Sequence, residues 1–130
     1  MDIQLELGAV RAVDLSLPAP KEKSADVALR VAAARLRQHK RFEAMGLSQL
    51  RTNAQADGSV LEVIAALDSA GQALLRDAAE AMNLSARGYH RVLRVARSIA
   101  DLAADDDIRR AHLAEALSYR QKPASLRQAA

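Results

Sequence analysis

Cysteine and tryptophan are missing from this 130-residue sequence, glycine occurs five times, proline three times, and the aromatics are Phe42, Tyr89 and Tyr119. Without cysteine there is no disulfide framework and no thiolate zinc site. With so few aromatics there is no stacking platform of the kind that reads single-stranded nucleic acid. The glycines stand at 8, 46, 58, 71 and 88, and none opens the GxxxxGK pattern of a phosphate loop. No apolar run approaches the ~20 residues of a membrane helix, and no stretch reads as a secretory leader. A cytoplasmic, soluble protein without membrane contact is expected.

Half of the residues are apolar, dominated by alanine and leucine. That mixture favours helix and suffices for the core of one small domain. The net charge is only +3, but it is unevenly spread. Residues 24–55 carry six Lys/Arg against two acids, residues 56–83 one against five, and residues 84–103 four against one. Such blocks are expected where particular helices present particular faces.

Residues 2–7, DIQLEL, alternate polar and apolar, a strand signal with no evident partner strand. Pro18–Lys23 reads as a linker. Ser24 can cap a helix to about Phe42, with Val27, Val31, Ala34 and Phe42 on one side, Arg30, Arg37 and Arg41 opposite, and Arg35 and Gln38 inside the apolar arc. Residues 43–58 read as loop, with one helical turn near Leu47–Leu50. Ser59 to Glu62 is a capping box, placing Val60, Val63, Ile64 and Leu67 inward, and Ser69 to Gln72 is a second, opening a helix to about Met82. Asn83 can close that helix. Ser85 can cap the next, from about Ala86 to Ala103, where Tyr89, Val92, Leu93, Ala96, Ile99, Ala100 and Ala103 share an apolar arc and Arg87, Arg91 and Arg94 line the opposite one. A last helix runs from about Ile108 to Arg120. The expected fold is all-α, a small helical bundle with an orphan N-terminal strand: a strand remnant and linker over 1–23, a helical domain over 24–122 and a disordered tail over 123–130.

Catalytic signatures are scarce. The histidines at 39, 90 and 112 share no ligand spacing, His112 with Glu115 reads as a solvated face, and Asp105–Asp107 reads as a solvated turn. No metal site is expected, and the chain by itself is not expected to be an enzyme. Arg87 stands out. It lies in the first turn of its helix, where the dipole mildly disfavours a cation, by ~0.3–1 kcal/mol. An anion docked there would meet free amides and a two-pronged guanidinium together.

Residues 85–120, SARGYHRVLRVARSIADLAADDDIRRAHLAEALSYR, resemble the C-terminal region of magnesium-chelatase-like AAA+ ATPases, in particular their competence-associated bacterial branch. DIQLEL at 2–7 is similar to the last strand of that family's ATPase core. VALRVAAARLRQHKRF at 27–42, with Arg35 and Gln38 as its R-x-x-Q, is similar to its first lid helix. The resemblance implies a helical lid whose sensor-2 arginine is Arg87, at a helix start supported by Ser85 and Gly88. It further implies a longer parent ATPase that supplies the phosphate loop, ATP and Mg, assembles with neighbouring subunits in a ring, and remodels DNA in recombination or transformation. Arg35, Gln38, Arg91 and Arg94 stand as candidates for contact with the parent's core, a neighbouring subunit or DNA, beside the plainer reading of solvated side chains. Three alternatives stay open: a free-standing nucleic-acid-binding module, a protein-interaction adaptor, and the lid of a true magnesium chelatase subunit.

Overall fold

The computed structural model describes residues 2–5, 7–9, 16–18 and 21–120. Among them are five α-helices, α1 Ser24–Ala44, α2 Gly58–Ile64, α3 Ser69–Ala81, α4 Ala86–Leu102 and α5 Arg110–Ser118, and a 3-10 turn at Asn53–Gln55. There is no strand among the described residues. The expected orphan strand is therefore corrected. Residues 2–5 lie in irregular backbone, and one main-chain bond, from the Gln4 amide to the Tyr119 carbonyl at 2.9 Å, holds them to the end of α5. An alternating pattern makes a strand only where a neighbouring strand satisfies its backbone groups. Glu6 and the tail over 123–130 lie outside the described residues.

α4 is the central element. It packs against α5, α1, α2 and the 3-10 turn, while α3 rests on α5. Its apolar arc supplies Val92, Leu93, Ala96 and Ala100, all buried as expected, together with Val95. Phe42, Leu61, Leu75 and Leu113 complete the centre from α1, α2, α3 and α5. The alanines of α4 and α5 let the two helix axes approach closely, so a small domain fills its interior without large side chains.

Three helices stop in the same way. After α1, α3 and α4, residues Gly46, Asn83 and Ala104 take left-handed backbone, with φ of 72°, 52° and 58°. The next amides, of Leu47, Leu84 and Asp105, donate back to the carbonyls of Phe42, Ala79 and Ala100 at 2.8, 2.9 and 2.8 Å. This 6→1 closure satisfies carbonyls the helix leaves open.

Local details depart from the sequence reading. α2 begins at Gly58, and its cap is Asp57, whose carboxylate accepts from the Gly58 amide, so the box predicted from Ser59 does not form. Leu61 and Ile64 are therefore the inward pair, and Val63 is 65% exposed. Likewise Asp68, not Ser69, caps α3 by accepting from the Gly71 amide at 2.7 Å. Residues 47–50 form a turn rather than a helix, and the helical turn lies at Asn53–Gln55. The first half of α1 lies outside the packed body: of its 21 residues only Ala34, Gln38 and Phe42 are buried. No helix of the described residues is long and apolar enough to cross a membrane.

Candidate functional site

Ser85 begins α4 as predicted. Its hydroxyl accepts from the Gly88 amide at 3.1 Å, and its carbonyl accepts from the Tyr89 amide at 2.9 Å. The amides of Ala86 and Arg87, between them, take no partner among the described residues. Gly88 is buried, and a Cβ there would stand 3.4 Å from an Arg120 guanidinium nitrogen and 3.5 Å from the Ser85 hydroxyl, ordinary contact distances. Arg87, one turn in, is exposed and makes no hydrogen bond or ion pair among the described residues. It borders an open polar groove whose other walls are Asp57, His90, Arg91 and Arg94.

The neighbouring arginines are engaged within the chain. Arg91 Nε stands 3.2 Å from an Asp2 carboxylate oxygen. Arg94 donates from Nε to the Ala56 carbonyl at 2.8 Å and from Nη2 to Asp57 at 3.0 Å, so it fastens the segment that caps α2. Of the four arginines on α4, Arg87 alone lacks an ion-pair or hydrogen-bond partner among the described residues. What it offers chemically is one guanidinium fork and two nearby amides, a partial cradle for a phosphate oxygen. No group of three or more metal-ligating side chains occurs among the described residues.

A second polar cluster lies at the other end of α4, and the sequence reading did not anticipate it. Arg97 and Asp101, one turn apart, are 3% and 2% exposed. Asp101 Oδ1 accepts from Arg41 Nη2 at 2.5 Å and faces Arg97 Nη2 at 3.1 Å. Its Oδ2 accepts from Asn53 Nδ2 at 2.9 Å and Arg41 Nη1 at 3.2 Å. Asn53 also donates to Ser98, and its amide donates to Gln38 Oε1 at 3.0 Å. Arg97 reaches onward to the carbonyls of Asp105 and Asp106 at 2.7 and 2.8 Å. Burial pulls the Arg97 guanidinium below its ordinary pKa while Asp101 pulls the other way. An arginine starts high enough to remain charged.

Three expectations are corrected here. Arg41 does not lie on a free outer face but reaches into the cluster, with 21% of its side chain exposed. The Asp105–Asp107 turn is a backbone receptor for Arg97 rather than only a solvated break. His112, expected on a solvated face, is buried; its Nδ1 accepts from the Arg109 amide at 3.0 Å, and its Nε2 is 3.2 Å from Asp105. Of the R-x-x-Q pair, Gln38 is a buried acceptor and Arg35 is exposed with no partner among the described residues. One sequence signal did point to the cluster: opposite charges four residues apart, at 97 and 101, on the flank of the apolar arc of α4.

The described residues form a helical domain in which a serine-capped helix start carries an exposed arginine. Residues 21–120 match the family described as magnesium chelatase, subunit ChlI C-terminal. The chain therefore belongs to that family. It is 38% identical over 120 residues to the uncharacterized protein YifB of Salmonella typhimurium, covering 92% of this chain and 22% of the relative. It is 42% identical over 101 residues to YifB of Escherichia coli, covering 78% and 19%. To the competence protein ComM of Haemophilus influenzae it is 40% identical over 70 residues, covering 54% and 14%. The chain spans about a fifth of the length of the two YifB relatives.

Proposed function

We propose that this domain is the helical lid of a magnesium-chelatase-like AAA+ ATPase and that Arg87 is its sensor-2 arginine, contacting the γ-phosphate of ATP bound by the parent's core. The observation that carries the reading is the state of Arg87. It stands exposed at a helix start beside amides that, like Arg87 itself, have no partner among the described residues, while Arg91, Arg94 and Arg97 are all engaged. A cation placed where the helix dipole disfavours it gains most when an anion arrives. Preorganised donors aimed at charge that develops during phosphoryl transfer stabilise the transition state, and an arginine fork suits the spread charge of the transferring group. ATP and Mg bind chiefly to the core in this reading, and Ser85 and Gly88 shape the start of α4. The parent's substrate is DNA, remodelled in recombination or transformation; the name of the Haemophilus relative, a competence protein, supports that choice. Arg35, exposed and without a partner among the described residues, is the candidate for contact with the core or a neighbouring subunit. Arg91, Arg94 and Gln38 serve the lid's own structure.

The test is ATP turnover by the complete ATPase carrying this domain. Arg87→Ala should lower turnover by about an order of magnitude or more, equivalent to ~1.4 kcal/mol of transition-state stabilisation. Arg110→Ala, at an exposed arginine that starts α5, should leave it unchanged. Equal turnover by both variants and the wild type refutes the assignment.

A further inference from the structure

The Asp101 cluster lies far from Arg87 along the same helix. Fourteen residues separate them, about 21 Å of axis at ~1.5 Å per residue. Its partners come from three elements: Gln38 and Arg41 from α1, Asn53 from the 3-10 turn, and Arg97, Ser98 and Asp101 from α4. Beyond the cluster, Arg37 of α1 donates to Asp106 at 2.6 Å, just past the end of α4. The buried residues of α1 are Ala34, Gln38 and Phe42. A seam with so few apolar contacts has little to define its angle and register, because apolar attraction is non-directional. A carboxylate that accepts three hydrogen bonds and faces a further guanidinium is directional.

We infer that Asp101 is a positioning residue for Arg87: it fixes α4 against α1, and through α4 sets where Arg87 meets a phosphate. The inference rests on the phosphate reading of Arg87. Its physical content is that α1, which joins the lid to the preceding chain, and α4, which carries Arg87, move as one piece because Asp101 clamps Arg41 and Arg97. The core between α4 and α5, built on Val92, Leu93, Ala96, Leu113, Ala116 and Leu117, does not depend on that clamp. Loosening it should free α1 while α4 and α5 stay packed.

Two measurements test this. In the 130-residue chain, backbone amide exchange is compared between wild type and Asp101→Asn, with Arg41→Lys as the milder variant that keeps the charge and loses the fork. Exchange should quicken at least tenfold in the second half of α1 and at 53–55, and change little in α5. Equal acceleration everywhere makes Asp101 a general stability residue and overturns the inference. In the complete ATPase, turnover is measured for Asp101→Asn, Arg87→Ala and the double variant, with Arg41→Lys repeated wherever Asp101→Asn is poorly folded. Asp101→Asn should cut turnover several-fold, and should add less than twofold once Arg87 is alanine. Wild-type turnover in Asp101→Asn, or full multiplication of the two effects, overturns the inference while leaving the role of Arg87 intact. If Arg87→Ala is itself without effect, the phosphate reading fails, and this inference with it.

Discussion

Arg97 and Asp101 face each other at 3.1 Å one turn apart on α4, both almost entirely withdrawn from water. The pair is stable there because the carboxylate also receives Arg41 and Asn53, and Arg97 also donates to two turn carbonyls. Removing one partner of such a cluster leaves buried charge without compensation. Asp101→Ala should destabilise the domain by about 3–5 kcal/mol, toward the lower end because Arg41 is partly hydrated. Urea unfolding of the 130-residue chain checks this, and a loss under about 1 kcal/mol contradicts it.

Ala104 holds left-handed backbone at φ 58° at the close of α4. A side chain with a Cβ is strained there by roughly 1–2 kcal/mol, whereas glycine is not. Ala104→Gly should therefore stabilise the chain by up to about 1 kcal/mol, less the added freedom of glycine when unfolded. The matching change at Asn83, Asn83→Ala, should destabilise it. Thermal melts of the two variants should move in opposite directions.

Phe42 is wholly buried and is the single phenylalanine of the chain. Phe42→Ala should cost about 3–5 kcal/mol through lost burial and a residual cavity. Denaturant melts with an unchanged slope would show that the native fold survives the loss.

Gly88 separates structural from functional need. A Cβ there meets its neighbours at ordinary contact distance, and glycine in a helix costs roughly 0.5–1 kcal/mol against alanine. Gly88→Ala should leave the isolated chain as stable or slightly more so. Reduced turnover in the complete ATPase would then locate the need for glycine in close approach of a nucleotide or another subunit.

Much of this architecture was legible in the sequence. The helix periodicity of 86–102 gave most of the apolar arc of α4, with Tyr89 and Ile99 half-buried and Ala103 exposed at its end, and Ser85 and Asn83 marked a cap and a stop that the backbone honours. Three caps were misread by one or two residues: Asp57 and Asp68 compete with the serines that follow them and accept amides instead, and Ser24 is the first residue of α1, with Lys23 at the cap position. The strand at 2–7 failed because its pattern describes a sheet that the described residues do not supply. The polar cluster escaped because helix wheels assign a charged residue to water. Only the third dimension shows that Arg41, from 60 residues earlier in the chain, arrives opposite Asp101. At the start of α4 the sequence located Arg87, but only the structure separates it from Arg91 and Arg94, whose partners come from distant segments.

The most direct measurement is the affinity of the complete ATPase for ATP and for ADP, with and without Arg87→Ala. If Arg87 reaches the γ-phosphate, the variant loses about tenfold in ATP affinity, ~1.4 kcal/mol, and holds ADP as the wild type does. An equal loss for both nucleotides, or none for either, contradicts the account.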